Sequence, residues 1–231
     1  MIIQTDNIKI VEKLLNYCDS VAIFPKYYSY CELKDIFDKF SERLYLVLPI
    51  IAREGDLDIL RRVVSINSIK KIIVNNIYGI NLAQGKQLLY GIGMNIVNPS
   101  LLNNSILSLE FDGKQVNDNF VYVYGRAPLM TFAHCPKKTV YGKCIACGNE
   151  DDLIYVDENA NEFPLHFYKN NYCYAQLLNC VPINLLDVKF EKQFVDFVGL
   201  DDRKIDEILQ CINRRECIKP YTRGYYNKKL V

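Results

Sequence analysis

Three cysteines of this sequence fall within thirteen positions, Cys135 to Cys147. Cys135, Cys144 and Cys147 stand in the stretch HCPKKTVYGKCIACGNE, where the last two form a Cys-x-x-Cys pair. Two residues between thiolates let both sulfurs turn toward one ion, and soft thiolates select zinc or an iron–sulfur cluster over hard cations. The spacing therefore predicts a metal centre, and it leaves the choice between zinc and iron–sulfur open.

A fourth sulfur ligand must come from further along the chain. Cys173 lies in the polar stretch NNYCYAQ, whereas Cys180 lies in the apolar run QLLNCVPINLL, where a packed thiol is expected. We therefore predict Cys173 as the fourth ligand. His134 adjoins Cys135, and we expect it to be a loop histidine rather than a ligand.

A second set of residues follows apolar runs that read as strands. Asn95, Asn98, Glu110 and Arg126 occupy such positions. In a barrel of parallel strands these ends gather on one face, where the site is built. The four residues are therefore candidates for a pocket lining. Alternatively, Glu110 and Arg126 form a structural ion pair.

The elements that position these residues show two periodicities. Stretches 30–43 and 54–66 carry apolar residues at helical spacing. Before, between and after them lie six short apolar runs typical of strands buried on both faces, at 21–24, 44–51, 69–76, 88–97, 105–111 and 120–125. Alternation of strand and helix predicts a mainly parallel sheet. Six strands are too few to close a barrel of eight, so an open α/β sheet is the alternative.

The amino-acid composition of the chain changes after Met130. Residues 131–180 are rich in cysteine, lysine, tyrosine and asparagine, which predicts irregular structure held by ligands. Within this stretch, residues 153–168 read as a hairpin around the polar turn DENAN. Further on, residues 204–212 read as a short helix, and the basic tail is expected to be exposed.

Composition limits the classes of function. The formal net charge of +1 gives no global attraction for nucleic acid, although a local basic patch is compatible with it. The longest apolar run, 44–52, is far short of the roughly 18 residues of a membrane span. Charges throughout the first fifteen residues do not fit a signal peptide, so we expect a cytoplasmic protein in which nine cysteines are not a disulfide framework.

Several of these motifs, taken in order, resemble the collagenase-like peptidase family U-thirty-two. They are YGRAPLMTFAHCP, KC-x2-C, EFPL, NNYC and YTRGYY, preceded by LYLVLPII, MNIVN and LSLEF. The likeness covers about residues 44–231, and its most specific block runs from Tyr124 to Cys173.

The resemblance implies a fold, a cofactor and a function. It implies a partial TIM-barrel-like βα sheet of about six parallel strands over residues 1–130, and a cysteine-rich metal-binding region over 131–231. It implies a [4Fe–4S] cluster, or alternatively zinc, on Cys135, Cys144, Cys147 and Cys173. It implies a role in oxygen-independent hydroxylation of RNA or of a quinone-type molecule. Alternatives are a collagenase-like protease and a shortened, non-catalytic paralogue that completes a heteromeric complex.

The chain departs from the family pattern at its start, where the first one or two barrel strands are expected to be missing or altered. An incomplete barrel leaves an open strand edge, which must be covered. We therefore expect a helix, a second copy of the chain or a paralogous partner on that edge.

Overall fold

The computed structural model describes residues 1–100, 102–113, 116–144 and 153–226. The architecture is mixed α/β, with one curled sheet of mainly parallel strands and a separate antiparallel sheet. Up to Tyr90 the chain alternates strands and helices: β1 (Ile2–Thr5), α1 (Val11–Leu14), β2 (Ser20–Ile23), α2 (Tyr30–Phe40), β3 (Leu44–Val47), α3 (Glu54–Val64), β4 (Lys71–Val74), α4 (Ile77–Leu82) and β5 (Gln87–Tyr90).

The larger sheet recruits strands from distant parts of the sequence. Its later members are β6 (Val121–Gly125), β11 (Ile183–Asn184) and β12 (Gln193–Asp196), and its order is β11-β6-β12-β1-β2-β3-β4-β5. β12 pairs in parallel with both β1 and β6, whereas β11 is antiparallel to β6. β1, which the apolar runs did not predict as a strand, lies in the middle of this sheet. β12 lies in the part of the chain where sequence predicted the cysteine-rich region.

The run 105–111, predicted as a strand, contributes only a short bridging segment. Residues 104–107 connect the end of β5 to the residue before β6, through parallel bridges from Tyr90 to Ser105 and from Ile106 to Phe120. Four backbone hydrogen bonds of 2.7–2.9 Å hold the segment: Tyr90 N to Asn104 O, Ile106 N to Tyr90 O, Leu107 N to Phe120 O, and Phe120 N to Ser105 O. The end of β5, at Tyr90, is therefore paired within this chain.

The antiparallel sheet is built from the residues between β6 and β11. Its strands are β7 (Pro128–Phe132), β8 (Leu153–Val156), β9 (Glu162–Lys169) and β10 (Cys173–Leu178), in the order β7-β10-β9-β8, with α5 (Pro136–Tyr141) after β7. β8 and β9 form the predicted hairpin, whose turn is held by Asp157 accepting from the backbone N–H groups of Asn159 and Asn161. The described part of this region is thus regular sheet, contrary to the irregular structure that its composition predicted.

The last helix, α6 (Asp202–Arg214), spans 13 residues and confirms the predicted helix. The Asp201 carboxylate caps it by accepting from Lys204 N at 2.7 Å, and the helix buries Ile205, Ile208 and Leu209 at helical spacing. Among the described residues, no helix is long and apolar enough to cross a membrane.

The bridging segment depends on one buried side chain, which gives a first prediction. Asn119 Oδ1 accepts from Ser105 N at 3.0 Å and Ser105 Oγ at 2.9 Å, and its Nδ2 donates to Pro99 O at 3.1 Å. Replacing Asn119 by alanine leaves buried polar groups unsatisfied, so we expect the free energy of unfolding to fall by about 2–3 kcal/mol. Urea unfolding measures this loss. The exposed Asn103→Ala variant is the control, and equal stability of the two variants would contradict the role given to Asn119.

Candidate functional site

Two of the four predicted cysteine ligands lie at the same end of paired strands. Cys173 is the first residue of β10, and Cys135 lies three residues after the end of β7, as the N-cap of α5. The two strands are antiparallel, with Ala175 opposite Phe132. Continued by two residues, this register sets Cys173 alongside His134. Both cysteines are half-buried.

The start of α3 anchors both segments that carry these cysteines. The Arg53 guanidinium donates to Ala133 O, two residues before Cys135, and stacks over the Tyr172 ring at 4.9 Å. Asp56, only 2 % exposed, accepts from Tyr172 N at 3.1 Å with one oxygen and from Arg53 N at 3.0 Å with the other. One helix start in the parallel-sheet region therefore fixes both cysteine segments.

The other two predicted ligands are less closely defined. Cys144 is exposed and follows α5 beyond Gly142, whose positive φ of 68° ends the helix. Cys147 lies outside the described residues. Within the described ranges, no three His, Cys, Asp or Glu side chains are placed to hold a metal ion. The four-cysteine ligand set therefore stays a prediction.

A small cavity lies at the carboxyl ends of the parallel strands, beneath the antiparallel sheet. Its volume of ≈ 30 Å³ has room for about two water molecules. Every segment around the curled sheet contributes to its wall: Gln4, Phe24, Ile50, Asn75, Ile92, Ile106, Arg126 and Asp196. The antiparallel sheet closes it from above with Pro128, Tyr168, Gln176 and Leu178. We call this space the inner cavity.

Asp196, the last residue of β12, is the most perturbed acid of the inner cavity. Burial raises its pKa to about 6 from the ordinary 3.8, against the opposing effect of hydrogen bonds from Val198 N, Gln4 and Tyr122. Val198 N lies 3.0 Å from Oδ1, and the Tyr122 hydroxyl lies 3.2 Å from Oδ2. Asp196 is among the residues that line the inner cavity. A carboxyl with this pKa exchanges its proton near neutral pH.

Of the four pocket residues predicted from sequence, Arg126 lines the inner cavity. Its Nη1 donates to Asn179 O at 2.7 Å and to Cys180 O. Asn95 ends the 3-10 helix Ile92–Met94 at φ 50° and accepts from Ser108 Oγ. Asn98 accepts from Ser100 in a local turn, and Glu110 is exposed. The structure therefore does not bring these four side chains together around the inner cavity.

An aromatic column fixes the antiparallel sheet over the strand ends. Phe24, which follows β2, stacks on Tyr168 of β9 with ring centroids 4.7 Å apart, and Tyr168 stacks on Tyr174 of β10 at 4.6 Å. His166 meets the edge of Tyr168, and its Nε2 lies 3.3 Å from Asp6 Oδ2, just after β1. These contacts join β9 and β10 of the antiparallel sheet to the ends of β1 and β2 in the parallel sheet.

The acidic residues Asp6 and Asp196 were missed by sequence reasoning. Each follows a short apolar run, IIQT for Asp6 and QFV for Asp196. An acid that directly ends a buried parallel strand is expected at a site, so recognising β1 and β12 as strands would have revealed both.

The raised pKa of Asp196 gives a second prediction. The folded protein holds this proton more tightly than the unfolded chain does. The proton therefore contributes its full stabilisation below about pH 4, and that contribution is lost as the pH rises through about 6. Asp196→Asn removes that dependence. We expect the free energy of unfolding of the variant, relative to that of wild type, to rise by about 2 kcal/mol between pH 4 and pH 7.

Urea titrations of both proteins across that pH range measure the difference, in which the other titrating groups largely cancel. A difference that does not change with pH would mean that Asp196 has an ordinary pKa.

Comparison of the chain with protein-family models, curated proteins and solved structures finds no significant match. The residues themselves indicate the chemistry of the site. They are the thiols of Cys135 and Cys173 at one end of the antiparallel sheet, and the Asp196 carboxyl, whose pKa is raised, with Arg126 in the inner cavity.

Proposed function

We propose that this chain is an iron–sulfur protein that resembles the peptidase family U-thirty-two and takes part in oxygen-independent hydroxylation of RNA or of a quinone-type molecule. Cys135, Cys144, Cys147 and Cys173 are the proposed ligands of a [4Fe–4S] cluster. The observation that carries the proposal is that Cys135 and Cys173, 38 positions apart in sequence, lie on neighbouring segments held by the same arginine.

The donor chemistry supports such a group. Two half-buried thiols at the end of one strand pair supply the soft ligands that iron–sulfur clusters require. When bound, a cluster of this kind supplies one-electron transfer, with a potential that hydrogen bonds and burial adjust.

We further propose that the curled sheet is a closed barrel of eight parallel segments, of the TIM-barrel type. Seven are the parallel strands β1 to β6 and β12, and the eighth is the bridging segment 104–107. The continuous wall of the inner cavity supports this interpretation, because it draws residues from all eight segments. The carboxyl ends of the strands in such a barrel form the reaction face.

The residues of that face supply proton and charge control. Asp196 takes or releases a proton near neutral pH, and the Tyr122 hydroxyl orients its carboxylate. Arg126 adds positive charge on the same wall. The stacked antiparallel sheet limits water to the small enclosed volume, which strengthens these electrostatic interactions.

Analysis of anaerobically purified protein tests the cofactor and gives a third prediction. We expect about four iron and four acid-labile sulfide per chain, with a brown absorbance. Cys173→Ala and Cys135→Ala should each lose most of the iron, because each removes one of four ligands. One zinc per chain without sulfide would overturn the cluster and replace it with a structural zinc site.

Two cysteine variants serve as matched controls. Cys211→Ala in α6 and Cys180→Ala beside Arg126 should keep the wild-type iron content, because neither thiol belongs to the proposed set. Loss of iron in all four variants would indicate general destabilisation instead. The collagenase-like protease and the non-catalytic paralogue stay alternative predictions, and iron-free protein with peptidase activity would favour the former.

A further inference from the structure

A second and larger cavity adjoins the inner cavity on the side of β6 and β12. Its volume is ≈ 270 Å³, and Arg126, Asp196 and Val198 belong to the walls of both cavities. We call it the outer cavity. Its far wall comes from residues 218–220, which follow α6, and from Lys204 in the first turn of that helix. The volume lies just below the usual range for ligand pockets, so it suits a small molecule.

The cations of this cavity outnumber its acids. Arg126, Lys204 and Lys219 line it, and Asp196 is the one acid among its described lining residues. Lys204 Nζ lies 3.0 Å from Glu207, which offsets part of its charge. In the described part of the chain, Lys219 has no ion-pair partner, and it is exposed at the rim. A negative charge in the cavity would therefore meet favourable potential from at least two sides.

The remaining walls are apolar and stiff. They include the Tyr124 ring, Pro182, Leu200, Ile218 and Pro220. Such walls favour a hydrophobic body over an inorganic anion, because burying apolar surface stabilises the former and gives the latter nothing. The cations and the apolar walls together define an amphipathic ligand.

We propose that the outer cavity binds a small organic carboxylate, with its apolar body against Tyr124 and the prolines and its carboxylate toward Lys204, Lys219 and Arg126. The ligand would then lie against the wall that carries Asp196, one side chain away from the inner cavity. The inference goes beyond the proposed function, because it depends on the cavity and its charges and on no metal.

Fluorine NMR titration of the purified full chain tests this proposal with 4-fluorobenzoate as the probe. The neutral amide 4-fluorobenzamide has nearly the same shape and is the matched control ligand. We expect saturable binding of the benzoate and at least tenfold weaker binding of the amide. Equal affinities for the two would overturn a carboxylate site, as would no saturable binding of the benzoate.

Variants locate the binding. Lys219→Met and Lys204→Met keep the apolar stem and remove the charge, so each should weaken benzoate binding about three- to fivefold and leave amide binding unchanged. Lys70→Met, before β4, should bind as wild type does. Ile218→Trp fills the cavity and should abolish binding of both probes. Wild-type benzoate affinity in both lysine variants would overturn the assignment.

Iron measured on the same samples separates this result from the cofactor proposal. Saturable benzoate binding by iron-free protein would support the outer cavity while the cluster fails. Full iron content without benzoate binding would overturn the outer cavity alone.

Discussion

The pairing of residues 104–107 with the end of β5 and with Phe120, just before β6, is the constraint on which the rest of the parallel sheet depends. Its parallel strands are only four or five residues long, so each contributes few hydrogen bonds and an unpaired edge would cost a large share of them. Residues 104–107 satisfy the edge of β5 with their own backbone, and Asn119 holds them from the side. Because the sheet is curled, the carboxyl ends of its parallel strands converge. That convergence is what brings Gln4, Asn75, Arg126 and Asp196 to one small cavity.

The antiparallel sheet is held over this convergence by two unlike sets of contacts. On one side the stack of Phe24, Tyr168 and Tyr174 combines apolar burial with ring geometry. On the other side Arg53 and Asp56 bind the cysteine-bearing segments through backbone groups and the Tyr172 ring. Since both sets fix the sheet, the enclosed volume is small because of packing at its roof as well as its walls. A ligand larger than two water molecules would therefore need the antiparallel sheet to shift before it could enter the inner cavity.

Much of the fold follows from local pattern, and much of the site does not. Sequence pattern predicts an element when the element shows its own periodicity. This holds for the apolar runs of β2, β3, β4 and β6, the apolar stripes of α2 and α3, the β8–β9 hairpin and α6. β1 and β12 were missed because IIQT and QFVD each contain only two apolar residues, fewer than β2, β3, β4 and β6 contain. The same omission hid Asp196, whose perturbed pKa arises from burial that only the complete sheet creates. Cysteine spacing predicted Cys135 as a ligand, and polar context added Cys173. Their common anchor, Arg53, lies 80 positions before Ala133, so neither cysteine motif could reveal it.

The central position of β12 has a consequence for how the chain folds during synthesis. The amino-terminal strand β1 takes β12 as one of its two neighbours, although the two lie 188 or more positions apart in sequence. Until residue 196 has left the ribosome, β1 and β6 each have an unpaired edge. The antiparallel sheet then packs on a parallel sheet that still lacks β12. Contacts of such long sequence separation are slow to form, and intermediates with free strand edges are prone to associate. The nascent chain is thus exposed to misassembly until β12 has been synthesised and has paired with β1 and β6.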